Sequence, residues 1–218
     1  VPQLVGAVGA LAAVRGLRHL PSRRPLTTAA VVGQALAFGA LALATILGRS
    51  GPATLIVGSC TQQAFARAAG TAWSSWYGDV VPARIRGRWF GRRNRWVSAV
   101  TFAGIVVGGL VLWALEPQGG ASSGGGGTGY ALLYAAAALS RLGCAPLLWS
   151  SWEPPFAPPQ ADDRVRDELS GPEGAAGRGV VVLGAALLAA VSLATPFFAP
   201  HMLRTLGFSY PVYLASQG

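Results

Sequence analysis

The sequence predicts an all-α, polytopic membrane helix bundle, and three observations carry that prediction. Hydrophobic residues make up 52% of the 218-residue chain and charged residues only 11%, far below the roughly 25% charged fraction of a soluble domain. A soluble chain of this length needs a charged exterior, which this one lacks, so lipid is the expected solvent. The apolar residues fall in runs of about 20, the length that crosses a bilayer as a helix. Between two such runs lies Trp73 to Val97, WSSWYGDVVPARIRGRWFGRRNRWV, in which Arg84, Arg86, Arg88, Arg92, Arg93 and Arg95 crowd beside a single acid, Asp79.

The elements follow in order. Residues 1–14 are apolar but too short to span, and 15–25 (RGLRHLPSRRP) form a basic loop. Thr27 to Leu47 is a span, and Gly51 and Pro52 mark the turn after it. Ala53 to Tyr77 spans next, rich in small and polar residues; the arginine knot follows as a loop, 78–95, and Trp96 to Leu115 crosses again. Residues 116–129 are glycine-rich and read as a flexible loop. Tyr130 to Trp149 spans, and the polar segment after it, opening with EPPFAPPQ, cannot bury a core and reads as a linker. Gly179 to Phe198 is a further span, broken near its end by Pro196, and another begins at Pro211. That makes five complete spans with a partial one at each end, as expected of a piece of a longer protein. The chain divides accordingly into a helix bundle (1–150), a linker (151–178) and the start of a second bundle (179–218).

Arginine placement sets the orientation. All 17 basic residues are arginine. Loops 15–25, 78–95 and 151–178 hold four, six and three of them, whereas the alternate loops hold only Arg49 and Arg204. Positive residues stay inside, so the three arginine-rich loops are cytoplasmic in a multi-pass protein of the plasma (inner) membrane. The all-arginine habit suggests a bacterial source. Trp73, Trp76, Tyr77, Trp89 and Trp96 bracket the knot at the headgroup level, where amphipathic rings are favoured.

Other classes find no support. A net charge of +9 could serve nucleic acid, but the arginines cluster between apolar runs instead of lining one polar face, so no nucleic-acid partner is expected. Cys60 and Cys144 sit in apolar runs without metal-ligand spacing, so no metal, cofactor or disulfide is expected. The chain has no phosphate-cradling loop, HExxH or nucleophile elbow, so it is not read as an enzyme.

Chemistry concentrates in the segment before the knot. Ser59, Gln63, Arg67, Gly70 and Ser74 are spaced four, four, three and four, which places them on one helical face. Such polar groups are costly against lipid, so the stripe faces other helices or a water-filled cavity. Arg67 lies about 15 Å from the loop at 1.5 Å per residue, too deep to snorkel easily, and would meet an anionic or polar solute, or form a structural hydrogen bond to a neighbouring helix. Arg141 is a weaker candidate in an alanine-rich segment. Gly104, Gly108 and Gly109 permit close helix approach.

GDVVPARIRGRWFGRRN, residues 78–94, resembles the loop between helices 4 and 5 in a bacterial branch of the major facilitator superfamily. TPFFAPHMLRTLGFSY similarly resembles the end of helix 7 and its following loop. The resemblance implies a partial major-facilitator-type fold from late helix 2 to the start of helix 8, with 1–150 holding partial helix 2 and helices 3 to 6. It also implies secondary active transport of a small solute by alternating access, with Ser59, Gln63, Arg67, Gly70 and Ser74 lining the cavity. Asp79, Arg86, Gly87, Arg88, Gly91, Arg92 and Arg93 would form the gating loop. Arg23 and Arg24 match the last arginines of the family's loop between helices 2 and 3, whose aspartate has no counterpart here. The implied partners are the lipid bilayer, the solute and a missing C-terminal half, without which the chain is not expected to transport. The rival reading is a polytopic membrane enzyme or a non-transporting assembly subunit, which five or so further spans would exclude.

Overall fold

The computed structural model describes residues 2–115, 127–156 and 174–201. Among these residues the chain forms six helices and no strand. The helices are α1 (Pro2–Leu17), α2 (Arg24–Ile46), α3 (Pro52–Val80), α4 (Ala83–Leu115), α5 (Thr128–Ser150) and α6 (Gly174–Pro200). The chain divides into two compact units, residues 1–159 and 160–218. Of the expected glycine-rich loop, 116–129, residues 116–126 lie outside the described residues and Thr128 and Gly129 open α5; most of the linker and the segment starting at Pro211 also lie outside them.

Local chemistry sets the helix ends. Pro25 sits in the first turn of α2, where its missing N–H has no intrahelical partner to lose. The same helix stops at Gly48, whose φ of +66° is the left-handed conformation open to glycine. There the N–H groups of Gly48 and Arg49 return to the carbonyls of Thr45 (3.1 Å) and Ala44 (2.8 Å), closing a Schellman turn. Pro52 then starts α3, and α3 ends where Pro82 forces Val81 into an extended conformation, φ −90° and ψ 118°.

In the first unit α2 lies between α3 and α5, α1 covers the other flank of α3, and α4 packs lightly against α5 and touches the end of α3 through its first turns. The shared core is Ala30, Val31, Ala69 and Ala145, small side chains that let helix backbones approach. Gly33 lies against the Phe65 ring and Gly58 against Leu41. The tightest approach is at Gly9 on α1, where a Cβ would come within 2.8 Å of the Ala64 backbone. Gly9→Ala is therefore expected to force α1 off α3 and destabilise the unit by about 1–3 kcal/mol, the usual cost of overpacking. Gly39, where an added Cβ would meet nothing within 4 Å, is the control. Equal unfolding midpoints in detergent for Gly9→Ala and Gly39→Ala would refute this.

Among the described residues, three helices are long and apolar enough to cross a membrane: Arg24–Ile46, Ala83–Leu112 within α4, and Thr128–Ser150. They correspond to three of the five expected spans. The 29 residues of α3 have the length, but its polar stripe makes it less apolar than these three. In α6 the apolar stretch, Gly177–Val191, is shorter. The helix nevertheless runs on through Pro196 to Pro200, so Pro196 does not break it.

Two further expectations are corrected. The arginine knot is not a loop over 78–95: α3 and α4 are separated only by Val81 and Pro82, and all six arginines are helical. Arginine is a good helix former, and the one proline in the stretch, Pro82, sits between the helices, while Gly87 and Gly91 are tolerated within α4. Nor do Gly104 and Gly108 mediate close packing among the described residues, since Gly104 has nothing within 4 Å and Gly108 only Leu133, at 3.9 Å.

Candidate functional site

Three pieces of chain distant in sequence meet at the basic end of the first unit. Arg23, just before α2, is 5% exposed. Its Nη2 donates to Asp79 Oδ2 on α3 at 2.6 Å, and Nη1 donates to the Ser75 carbonyl at 3.1 Å. Its guanidinium lies 4.1 Å from the centre of the Phe156 ring beyond α5, a cation–π contact. The segment after α5 is tied in a second way. Glu153 accepts from the Ser22 hydroxyl (2.6 Å) and the Arg23 backbone N–H (2.7 Å), with Arg24 Nε 3.6 Å away. Trp76, 1% exposed, donates its indole N–H to the Trp152 carbonyl at 3.2 Å.

This clasp joins the α1–α2 connection, the end of α3 and the segment after α5. Its two ion pairs differ in setting. Arg23 and Glu153 are sequestered, whereas the Asp79 side chain is 56% exposed, so Asp79 is the partner that water can most readily solvate.

Next to the clasp lies a cavity of about 410 Å³ among α2, α3 and α5, with Arg93 contributed by α4. Its lining runs along α5 from Ser151 to Arg141, about 15 Å of helix. Thr27, Gln34, Trp73, Tyr77, Arg93 and Arg141 give it polar, aromatic and cationic character, and no lining residue is acidic. Gln34 is 2% exposed and its Oε1 has no hydrogen-bond partner. Arg93 lies 4.1 Å from the centre of the Trp73 ring. Trp73, Tyr77 and Trp89 stack on one another and Phe90 meets Trp73 and Trp89 edge-on, with centroids 4.4–6.4 Å apart.

The residues singled out from sequence are scattered by this geometry. Of the stripe, Gly70 lines the cavity. Arg67 turns the other way, donating to Gln3 Oε1 on α1 at 3.1 Å, with its stem against Gly6. Gln63 also lies on the α1 side, Ser59 is half-buried and Ser74 is exposed. In the knot, Asp79 enters the clasp and Arg93 the cavity. Arg86 reaches back to the carbonyls of Gly78 (2.5 Å) and Val81 (3.4 Å), satisfying the open end of α3. Arg88, Gly91 and Arg92 share a separate groove on α4. A side chain at Gly87 or Gly91 would meet nothing within 4 Å. Trp76, expected among headgroups, is instead one of the most buried side chains.

Sequence reasoning missed Glu153 and Gln34 and gave Arg23 no role. The available signals were slight: Glu153 is an isolated acid beside Trp152 and a Pro-Pro pair, and Arg23 opens the Arg-Arg-Pro start of α2. Among the described residues no group of three or more His, Cys, Asp or Glu side chains could hold a metal.

Fold and site together define a helical bundle with candidate membrane-crossing helices, an ion-paired clasp and a cationic cavity beside it. No protein-family model, curated protein or solved structure matches the chain.

Proposed function

We propose that the chain belongs to a secondary active transporter of the major facilitator type, carrying a small anionic solute by alternating access. The observation that carries this reading is the cavity, which has two arginines, a buried glutamine and no carboxylate in its lining, with an ion-paired clasp at one end. Arg141 sits mid-way along a helix apolar enough to cross a membrane. A guanidinium at that depth is costly unless a counter-charge is supplied, and an anionic solute supplies it. The likeness of residues 78–94 to the family's gating loop adds support, as does the pairing of Asp79 with Arg23 across two helices. On this reading the clasp closes the cytoplasmic side of a bacterial inner-membrane carrier. Its breaking would open the cavity to that side.

The test uses Gly70→Cys, a cavity position with room for a side chain, in a Cys60→Ser, Cys144→Ser background. Asp79→Asn is expected to speed maleimide labelling at residue 70 about tenfold or more. Benzoate and glycerol 3-phosphate, as probe anions, are expected to slow it, and Arg141→Gln to abolish that protection. Labelling indifferent to both Asp79→Asn and the anions would sink the proposal.

A further inference from the structure

The clasp and cavity use only part of the arginine knot. Arg88, Arg92 and Arg95 face elsewhere and, with Gly91 and Trp96, line an open groove of about 640 Å³ on the surface of α4. Neither described carboxylate neutralises them, since Asp79 pairs with Arg23 and Glu153 with Arg24. Like charges at this helical spacing repel one another, so a bound anion would stabilise the groove.

The same helix face continues from Arg92 through Trp96, Val100, Ala103, Val107 and Leu110, spaced four, four, three, four and three. Trp96, Val100, Val107 and Leu110 are each more than half exposed, and the apolar window of α4 buries none of its residues. One face therefore reads, along its length, as cationic, then aromatic, then apolar. At 1.5 Å per residue, Arg95 and Arg92 lie about 1.5 and 6 Å beyond Trp96, and a headgroup layer is roughly 5–8 Å thick on each side of the hydrocarbon.

We propose that this face is a binding site for one anionic glycerophospholipid. Its phosphodiester lies between Arg92 and Arg95, with Arg88 adding to the positive field. Trp96 sits at the level of the glycerol esters, and an acyl chain runs along Val100, Ala103 and Val107. Arginine clusters beside a membrane helix attract anionic headgroups, and the apolar strip selects a lipid over a free phosphate ester. The site does not depend on transport activity.

Native mass spectrometry of the full chain in detergent tests it, with phosphatidylglycerol and phosphatidylcholine of matched acyl chains. One phosphatidylglycerol is expected to be retained in preference to phosphatidylcholine. Arg92→Gln with Arg95→Gln should weaken retention roughly thirtyfold, about fivefold for each arginine. Arg15→Gln with Arg49→Gln removes the same charge elsewhere and should leave retention within about twofold. Equal retention of the two lipids, or equal loss in the two double variants, would overturn the site. Glycerol 3-phosphate binding as tightly as the lipid would show a soluble-anion site instead and overturn the lipid assignment.

Discussion

Asp79→Asn is expected to destabilise the first unit by about 2–3 kcal/mol, at or below the low end of the cost of removing one partner from a fully buried ion pair, because only the Arg23 half of this pair is sequestered. The reason is the asymmetry of the pair. Arg23 is 6% exposed at its side chain and Asp79 56%. Neutralising Asp79 leaves a sequestered guanidinium without a counter-charge, stabilised by the Ser75 carbonyl, the Phe156 ring and at best one neutral amide oxygen. Arg23→Gln leaves a carboxylate that water reaches, and its expected cost is smaller, about 1–2 kcal/mol, from lost hydrogen bonds and ring contact. Unfolding of the detergent-solubilised variants measures both. An Arg23→Gln variant less stable than Asp79→Asn would show that the burial asymmetry does not govern the pair.

Trp76→Ala is expected to cost about 3–5 kcal/mol, the range for deleting a large aromatic from a packed interior. Trp76 is 1% exposed, and its indole N–H is bonded to the Trp152 carbonyl. Removing it leaves a cavity and also unties the segment after α5 from α3. Trp76→Phe keeps most of the ring volume and loses the hydrogen bond, for an expected cost of about 1–2 kcal/mol. Measured losses that are equal for the two variants would mean that packing at this position contributes little.

The helical class and the approximate places of α2, α4 and α5 were legible in the sequence, because apolar runs of bilayer length leave few alternatives. Helix ends were less legible. Hydropathy reports where a chain leaves an apolar solvent and not where its hydrogen-bond ladder stops, so the arginine-rich start of α4 read as loop. Helical spacing placed Arg67 and Gly70 on one face. Two residues three apart still point about 60° from each other, enough for Arg67 to meet α1 and Gly70 the cavity. Spacing says which residues are neighbours on a helix but not which helix lies opposite. The Glu153 contacts were out of reach for a related reason: its partners stand 130 residues upstream, and nothing local distinguishes an acid that closes a bundle from one that solvates a linker.

The continuity of α4 has a mechanical consequence. Its 33 residues make a rod about 50 Å long, lightly held by α5, joined in sequence to α3 through Val81 and Pro82, and held to α3 at its first turns by Arg86, Trp89 and Arg93. A rod longer than the roughly 30 Å hydrocarbon layer, pivoting at a two-residue joint, is a lever. A tilt of about 10° displaces one end relative to the other by about 9 Å over that length. Because Arg86 grips the end of α3 and Arg93 stands in the cavity wall, such a tilt would be felt at both places together, and lipid pressing on the apolar arm would be transmitted to the charged one.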